Sequence, residues 1–133
     1  MSRMTPSDQP PAGRHIPDVL GATLGAPEPW PPGLDPPSGA LASTLELSDD
    51  GDIKTGIWEC TPGSFPSRRD GVCELMHFVS GDATVIDEHD GTRHWIGPGA
   101  VLFVPDGWRG RWEIRETVRK TYVIARTHAG SEG

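Results

Sequence analysis

Glu74, His77, Cys60 and Cys73 are the residues whose types could do acid–base, nucleophilic or metal chemistry, and their spacing sorts them. Glu74 and His77 stand three apart, so on a strand they face opposite ways and form no carboxylate–imidazole pair. Glu74, Met76 and Phe78 then share one face, with Cys73, Leu75, His77 and Val79 on the other. An outer face that apolar implies a second sheet or a subunit contact, so His77 reads as a packing or interface residue. No base or metal partner is evident for either cysteine, and both read as small hydrophobes. His89, beside Asp90-Gly91, reads as part of a solvated turn, and His128 as part of a solvated tail. His94 and Trp95 take opposite faces of one strand, and the pattern leaves open which faces inward. No nucleophile-elbow pattern occurs, although a Ser-His-Asp constellation stays open. In Trp108-Arg109-Gly110-Arg111-Trp112, strand parity turns Arg109, Arg111 and Arg115 away from Trp112. No platform combining stacking and charge for RNA forms there.

The elements that must position these residues follow from patterning. The chain has 133 residues, one domain's worth, with 12 basic and 19 acidic residues and a net charge of −7. That balance argues against a nucleic-acid partner, whose phosphates need Lys and Arg. No apolar run is long enough for a membrane helix, and no apolar h-region follows the first residues, so neither a membrane nor secretion is expected. Two cysteines are too few for a disulfide scaffold and fit a reducing cytoplasm. Ten of the 14 prolines lie before residue 40, so residues 1–38 read as an extended Pro-rich arm, partly disordered or docked on the barrel or a partner subunit. Within it Ile16, Val19, Leu20, Leu24 and Trp30 are the docking candidates. From 39 to 127 the pattern has period two, with strands predicted over 41–47, 53–60, 72–79, 83–87, 92–96, 100–104, 111–115 and 121–126. Turn signals separate most of them, Asp49-Asp50-Gly51-Asp52 and Ser80-Gly81-Asp82 among them. This describes an all-β barrel with a short flexible tail over 128–133, and closure removes exposed sheet edges.

Two stretches resemble the conserved motifs of the cupins. Glu74 is followed by six residues and Gly81, and Gly99-x5-Pro105-x-Gly107 repeats the family's second motif. The wider spelling, 56–63 together with Trp112-Glu113 and 118–123, is similar to small single-domain cupins of the (S)-ureidoglycine aminohydrolase and ethanolamine-utilisation branches. The resemblance implies a cupin-type double-stranded β-helix, or jelly-roll barrel. In metal-binding cupins two His and a Glu of the first motif and a His of the second hold a divalent ion. Here Ser67 and Arg69 fall where the first two His would be and Gly110 where the last would be, leaving Glu74 alone. The expectation is therefore no metal and no cofactor, with Arg69 pairing with Glu74.

Strand parity puts Gly110, Trp112 and Ile114 inward, and a Gly in place of a ligand His leaves room for Trp112 or a ligand. The expected interior is a small-molecule pocket with Glu74 as acid or base and Arg69, Trp58, Met76, Phe78, Gly110, Trp112 and Tyr122 as substrate-binding residues. Its ligand is expected to be polar or anionic. Apolar walls would raise the pKa of Glu74 and Arg69 would lower it, and the sequence leaves the winner open. One carboxylate without a metal supports proton shuttling, in an isomerase, cyclase or lyase. The alternatives are a filled core in a non-enzymatic accessory or dimerisation module, and a metal-dependent enzyme related to the aminohydrolase. A homodimer pairing through the outer face is expected in either of the first two cases.

Overall fold

Eight strands and no helix make up the described part of the chain, residues 10–127 of a computed structural model. They are β1 (Glu28–Pro29), β2 (Leu41–Asp49), β3 (Ile53–Cys60), β4 (Gly63–Arg68), β5 (Val72–Asp87), β6 (Arg93–Ile96), β7 (Val101–Val104) and β8 (Arg109–Arg126). The expected tail over 128–133, with His128, and the first nine residues of the arm lie outside the described residues.

All pairing is antiparallel, in the order β1-β2-β3-β8-β5-β6, with β4 also on β8 and β7 also on β5. β8 organises the barrel. Its first half pairs with β4 and with the end of β5, and its second half pairs with β3 and with the start of β5. One buried cluster joins Met76 and Phe78 from the start of β5 to Val85, Ile96, Trp112 and Ile114 from the other half. The all-β class that the period-two pattern predicts is the fold observed.

The short β1 in the arm was not predicted and the predicted strands 111–115 and 121–126 are one strand, β8; two further differences have local causes. Residues 72–79 and 83–87 are one strand, because Ser80-Gly81-Asp82 forms a series of register shifts rather than a turn. Gly81 sits at φ 105°, and a Cβ there would meet the Thr117 carbonyl oxygen at 2.4 Å, so this bulge requires glycine. β4 was not expected, since Pro66 breaks its pattern. It forms at a sheet margin, paired only to β8, where the lost N–H of Pro66 is tolerated.

The arm lies on its own barrel. Arg119 Nη1 donates to the carbonyls of Val19, Leu20 and Ala22 at 2.7, 3.1 and 2.9 Å, while its Nε donates to Glu59 at 3.0 Å. Gly25 N–H donates to the Thr44 carbonyl, and β1 adds to the edge of β2. These contacts bring Trp30 against the core cluster.

Candidate functional site

Period two brings the inward residues of three strands to one place. On β5 Glu74, Met76 and Phe78 are buried while Leu75 and His77 are exposed. On β8 Gly110, Trp112, Ile114, Val118, Lys120 and Tyr122 keep one parity and are all buried. Trp58 of β3 lies directly across the ladder from Lys120. Of these residues Glu74, Trp112, Lys120, Tyr122 and Trp58, together with Arg69 in the loop after β4, line a cavity of about 210 Å³.

At its centre is a carboxylate held by two cations. Glu74 is 1% exposed, and its Oε2 accepts from Lys120 Nζ at 2.8 Å. Its Oε1 accepts from Arg69 Nε at 2.9 Å and from Arg69 Nη2 as well. Arg69 is itself fixed, its N–H donating to the Trp108 carbonyl and its Nη1 to the Arg68 carbonyl, both at 2.9 Å. Lys120, 4% exposed, lies over the indoles of Trp58 and Trp112, with Nζ 4.5 and 5.1 Å from the ring centroids. Burial alone would raise the Glu74 pKa. Lys120 and Arg69 more than offset that and hold the carboxyl below its usual range. Burial also pushes the Lys120 ammonium down, and Arg69 adds to this, against the opposing pull of Glu74. Tyr122 is pushed up, first by burial and then by the carboxylates Glu46 and Glu74.

The walls are aromatic. Trp58 meets Trp112 edge-on at 5.8 Å, and Phe65 stacks on Trp112 at 6.3 Å with an interplanar angle of 10°. Trp30 closes the arm side, while Ser67, Thr44, Glu46, Lys54 and Tyr122 supply further polar atoms.

Of the sequence-predicted residues, Glu74, Arg69, Trp58, Trp112 and Tyr122 meet at this cavity. Met76 and Phe78 do not line it. They lie in the packed core, with Phe78 5.9 Å from Trp112. Gly110 is opposite Ser67 in register, but the room beside it is filled: a Cβ there would meet Trp108 Cζ2 at 2.2 Å and the Ile86 carbonyl oxygen at 2.3 Å. Trp108, rather than Trp112 or a ligand, takes the place that the missing His leaves, with its Nε1 anchored to Asp87 at 2.9 Å. His94 binds the other oxygen of Asp87 at 2.9 Å, and Trp95 points outward. Sequence reasoning missed Lys120 and Phe65, and named Trp30 only as a docking candidate of the arm. Lys120 shares the parity of Trp112 and Tyr122, a signal that was there to be read. Phe65 lay in the unexpected strand, and nothing local assigns Trp30 to this cavity.

The cupin metal position lacks the donors an ion needs. Ser67 offers a hydroxyl, Gly110 nothing, and Arg69 a cation bonded to the one carboxylate present. These residues do not fit a divalent ion, which needs three or four imidazole or carboxylate ligands. Among the described residues no cluster of three His, Cys, Asp or Glu side chains could hold one elsewhere.

The roll and its inward-facing first-motif Glu define a cupin. Residues 47–122 match the model of the EutQ-like cupin domain, and the chain belongs to that family. Among solved structures it is similar to the Clostridium difficile EutQ protein, with 19% identity, 66% of this chain and 70% of that one covered, and a TM-score of 0.58. A Pseudomonas syringae protein of unknown function from the DUF861 family is 27% identical over 81% of this chain and 46% of its own, with a TM-score of 0.66. A predicted oxalate decarboxylase from Thermotoga maritima is 16% identical over 85% and 100%, with a TM-score of 0.60. No curated protein matches the chain.

Proposed function

We propose that this protein is a metal-free cupin that binds a small organic anion in the Glu74–Lys120 cavity and transfers a proton there. The observation carrying the proposal is the Lys120–Glu74 pair, both members buried and both in the wall of the cavity. Two cations against one carboxylate leave the polar end of the cavity with a positive excess, which favours an anionic ligand, and the indoles accept its apolar body. Glu74, kept ionised by its partners, serves as base rather than acid, and the Lys120 ammonium is the adjacent proton donor. Isomerisation, cyclisation and elimination are the reaction types such a pair supports. Thermal-shift screening against small carboxylates and phosphates tests binding, with a stabilising anion expected. If Glu74→Gln leaves turnover of that compound unchanged, the carboxylate has no chemical role.

A second reading, a dimerisation or accessory module, is favoured by one observation. Phe103, Leu75 and Val123 lie side by side across β7, β5 and β8 on the outer face, and with Val101 all are exposed. We propose that two copies pair there as a homodimer, tested by solution mass and its loss in Leu75→Glu. The aminohydrolase branch is the third alternative. Its metal-dependent chemistry would need ligands that Ser67, Arg69 and Gly110 do not supply. No role for nucleic acid or membrane is proposed, and no helix among the described residues is long and apolar enough to cross a membrane. Two free cysteines support a reducing compartment such as the cytoplasm.

A further inference from the structure

The chain contains two lysines, Lys54 and Lys120, against ten arginines, and both lysines line the same cavity. Fixed positive charge elsewhere is carried by arginine, as in the pairs Arg93–Glu113, Arg109–Asp70 and Arg115–Asp82. A guanidinium stays protonated at any relevant pH, whereas an amine can lose its proton and attack a carbonyl. Lys120 has the surroundings such an amine needs. Its Nζ is 2.8 Å from a carboxylate able to take its proton, and that carboxylate is oriented by a third group, Arg69. Burial favours the neutral amine, and the indole walls keep bulk water from reversing a condensation.

We propose that Lys120 is a nucleophile that condenses with the carbonyl group of a small oxo acid to form an imine, with Glu74 relaying protons and Arg69 receiving the substrate's carboxylate. The inference rests on the anion-binding reading given above and names its substrate class. Glu74 takes one proton from the ammonium, and the freed lone pair of Nζ forms a bond to the carbonyl carbon while the carbonyl π pair moves to the oxygen, which receives that proton from Glu74. The nitrogen then gives its second proton to Glu74, and its lone pair forms the carbon–nitrogen double bond as the carbon–oxygen bond breaks. The oxygen leaves as water with the proton returned by Glu74, so one carbonyl and one ammonium become one protonated imine and one water. Arg69 can hold the acid group because only part of its guanidinium is used. Nε and Nη2 bind Glu74 and Nη1 binds a carbonyl, which leaves two of its five N–H groups free. Its side chain is 23% exposed and lines the cavity.

The full chain is incubated with pyruvate and, separately, phenylpyruvate, reduced with borohydride, and mapped by peptide mass. The expected result is one adduct per chain on Lys120, absent in Lys120→Arg and formed about 100-fold more slowly in Glu74→Gln. Lys120→Met, with its fold checked by circular dichroism, serves as the second unreactive variant if Lys120→Arg does not fold. An unmodified Lys120, with label absent or confined to Lys54 and the terminal amine, overturns the proposal. Thermal stabilisation by the same oxo acids without borohydride separates the two readings. Stabilisation without label on Lys120 leaves an anion site and removes the imine, and neither stabilisation nor label removes both.

Discussion

Trp30 and Trp58 meet edge to face with ring centroids 5.8 Å apart, and through this contact the Pro-rich arm becomes a wall of the cavity. An aromatic pair of this kind contributes about 0.5–1.5 kcal/mol beyond its buried area. Trp30→Ala should therefore lower stability modestly and loosen the segment ahead of β2. Limited proteolysis checks it: cleavage before residue 40 should accelerate while β2 to β8 survive. An unchanged digest would show that Arg119, through its three arm carbonyls, holds the segment without Trp30.

The pair Glu74–Lys120 should be coupled energetically. Glu74→Gln leaves two cations facing each other in a buried site, a loss of about 3–5 kcal/mol for removing one partner of such a pair. Lys120→Met in the same chain removes one of them. The double variant should be more stable than the sum of the single losses implies, by about 1 kcal/mol or more. Urea unfolding of the four chains closes the cycle, and strict additivity would contradict the observed 2.8 Å contact.

The same pair sets a pH dependence. The Glu74 carboxyl is held below its unfolded value, so its contribution is full above the ordinary carboxylate range and is lost as pH falls through the folded value. Lys120 is pushed down by burial, so its charged form opposes folding at low pH and is relieved as pH rises toward the ordinary lysine range. Both effects make stability increase with pH. Unfolding midpoints of wild type and Glu74→Gln should therefore converge on acidification below about pH 4. Parallel profiles down to pH 2 would disprove the assignment.

The two thiols should react differently. Burial pushes the Cys60 pKa up to about 12, and its side chain has no solvent access, whereas Cys73 is half-buried on the outer face. Ellman's reagent at pH 8 should titrate one thiol in the native chain and a second only after denaturation. Rapid reaction of both in native buffer would mean that the region around Cys60 opens readily.

Much of this site was legible because a strand hides alternate residues. Glu74 against His77, and Trp112 against Arg111, separate by parity alone, and the arm and barrel differ visibly in proline. The rest required the third dimension. Ser80-Gly81-Asp82 has the composition of a turn, and only pairing with β8 shows it to be a bulge within one long strand. A missing ligand histidine suggested an open space at Gly110, yet Trp108 folds back from two residues away to fill it. Trp30 reaches the cavity because Arg119 and β2 hold a proline-rich segment that has no periodicity of its own.

β8, the 18-residue strand that borders β3, β4 and β5, is also the last of the described strands in chain order. While residues 109–126 remain inside the ribosome, none of those three neighbours has its main partner, and Glu74 has no ammonium to meet it. Strand edges on β3, β4 and β5 therefore stay unpaired until residues 109–126 have emerged, so pairing across the whole barrel waits on this one strand.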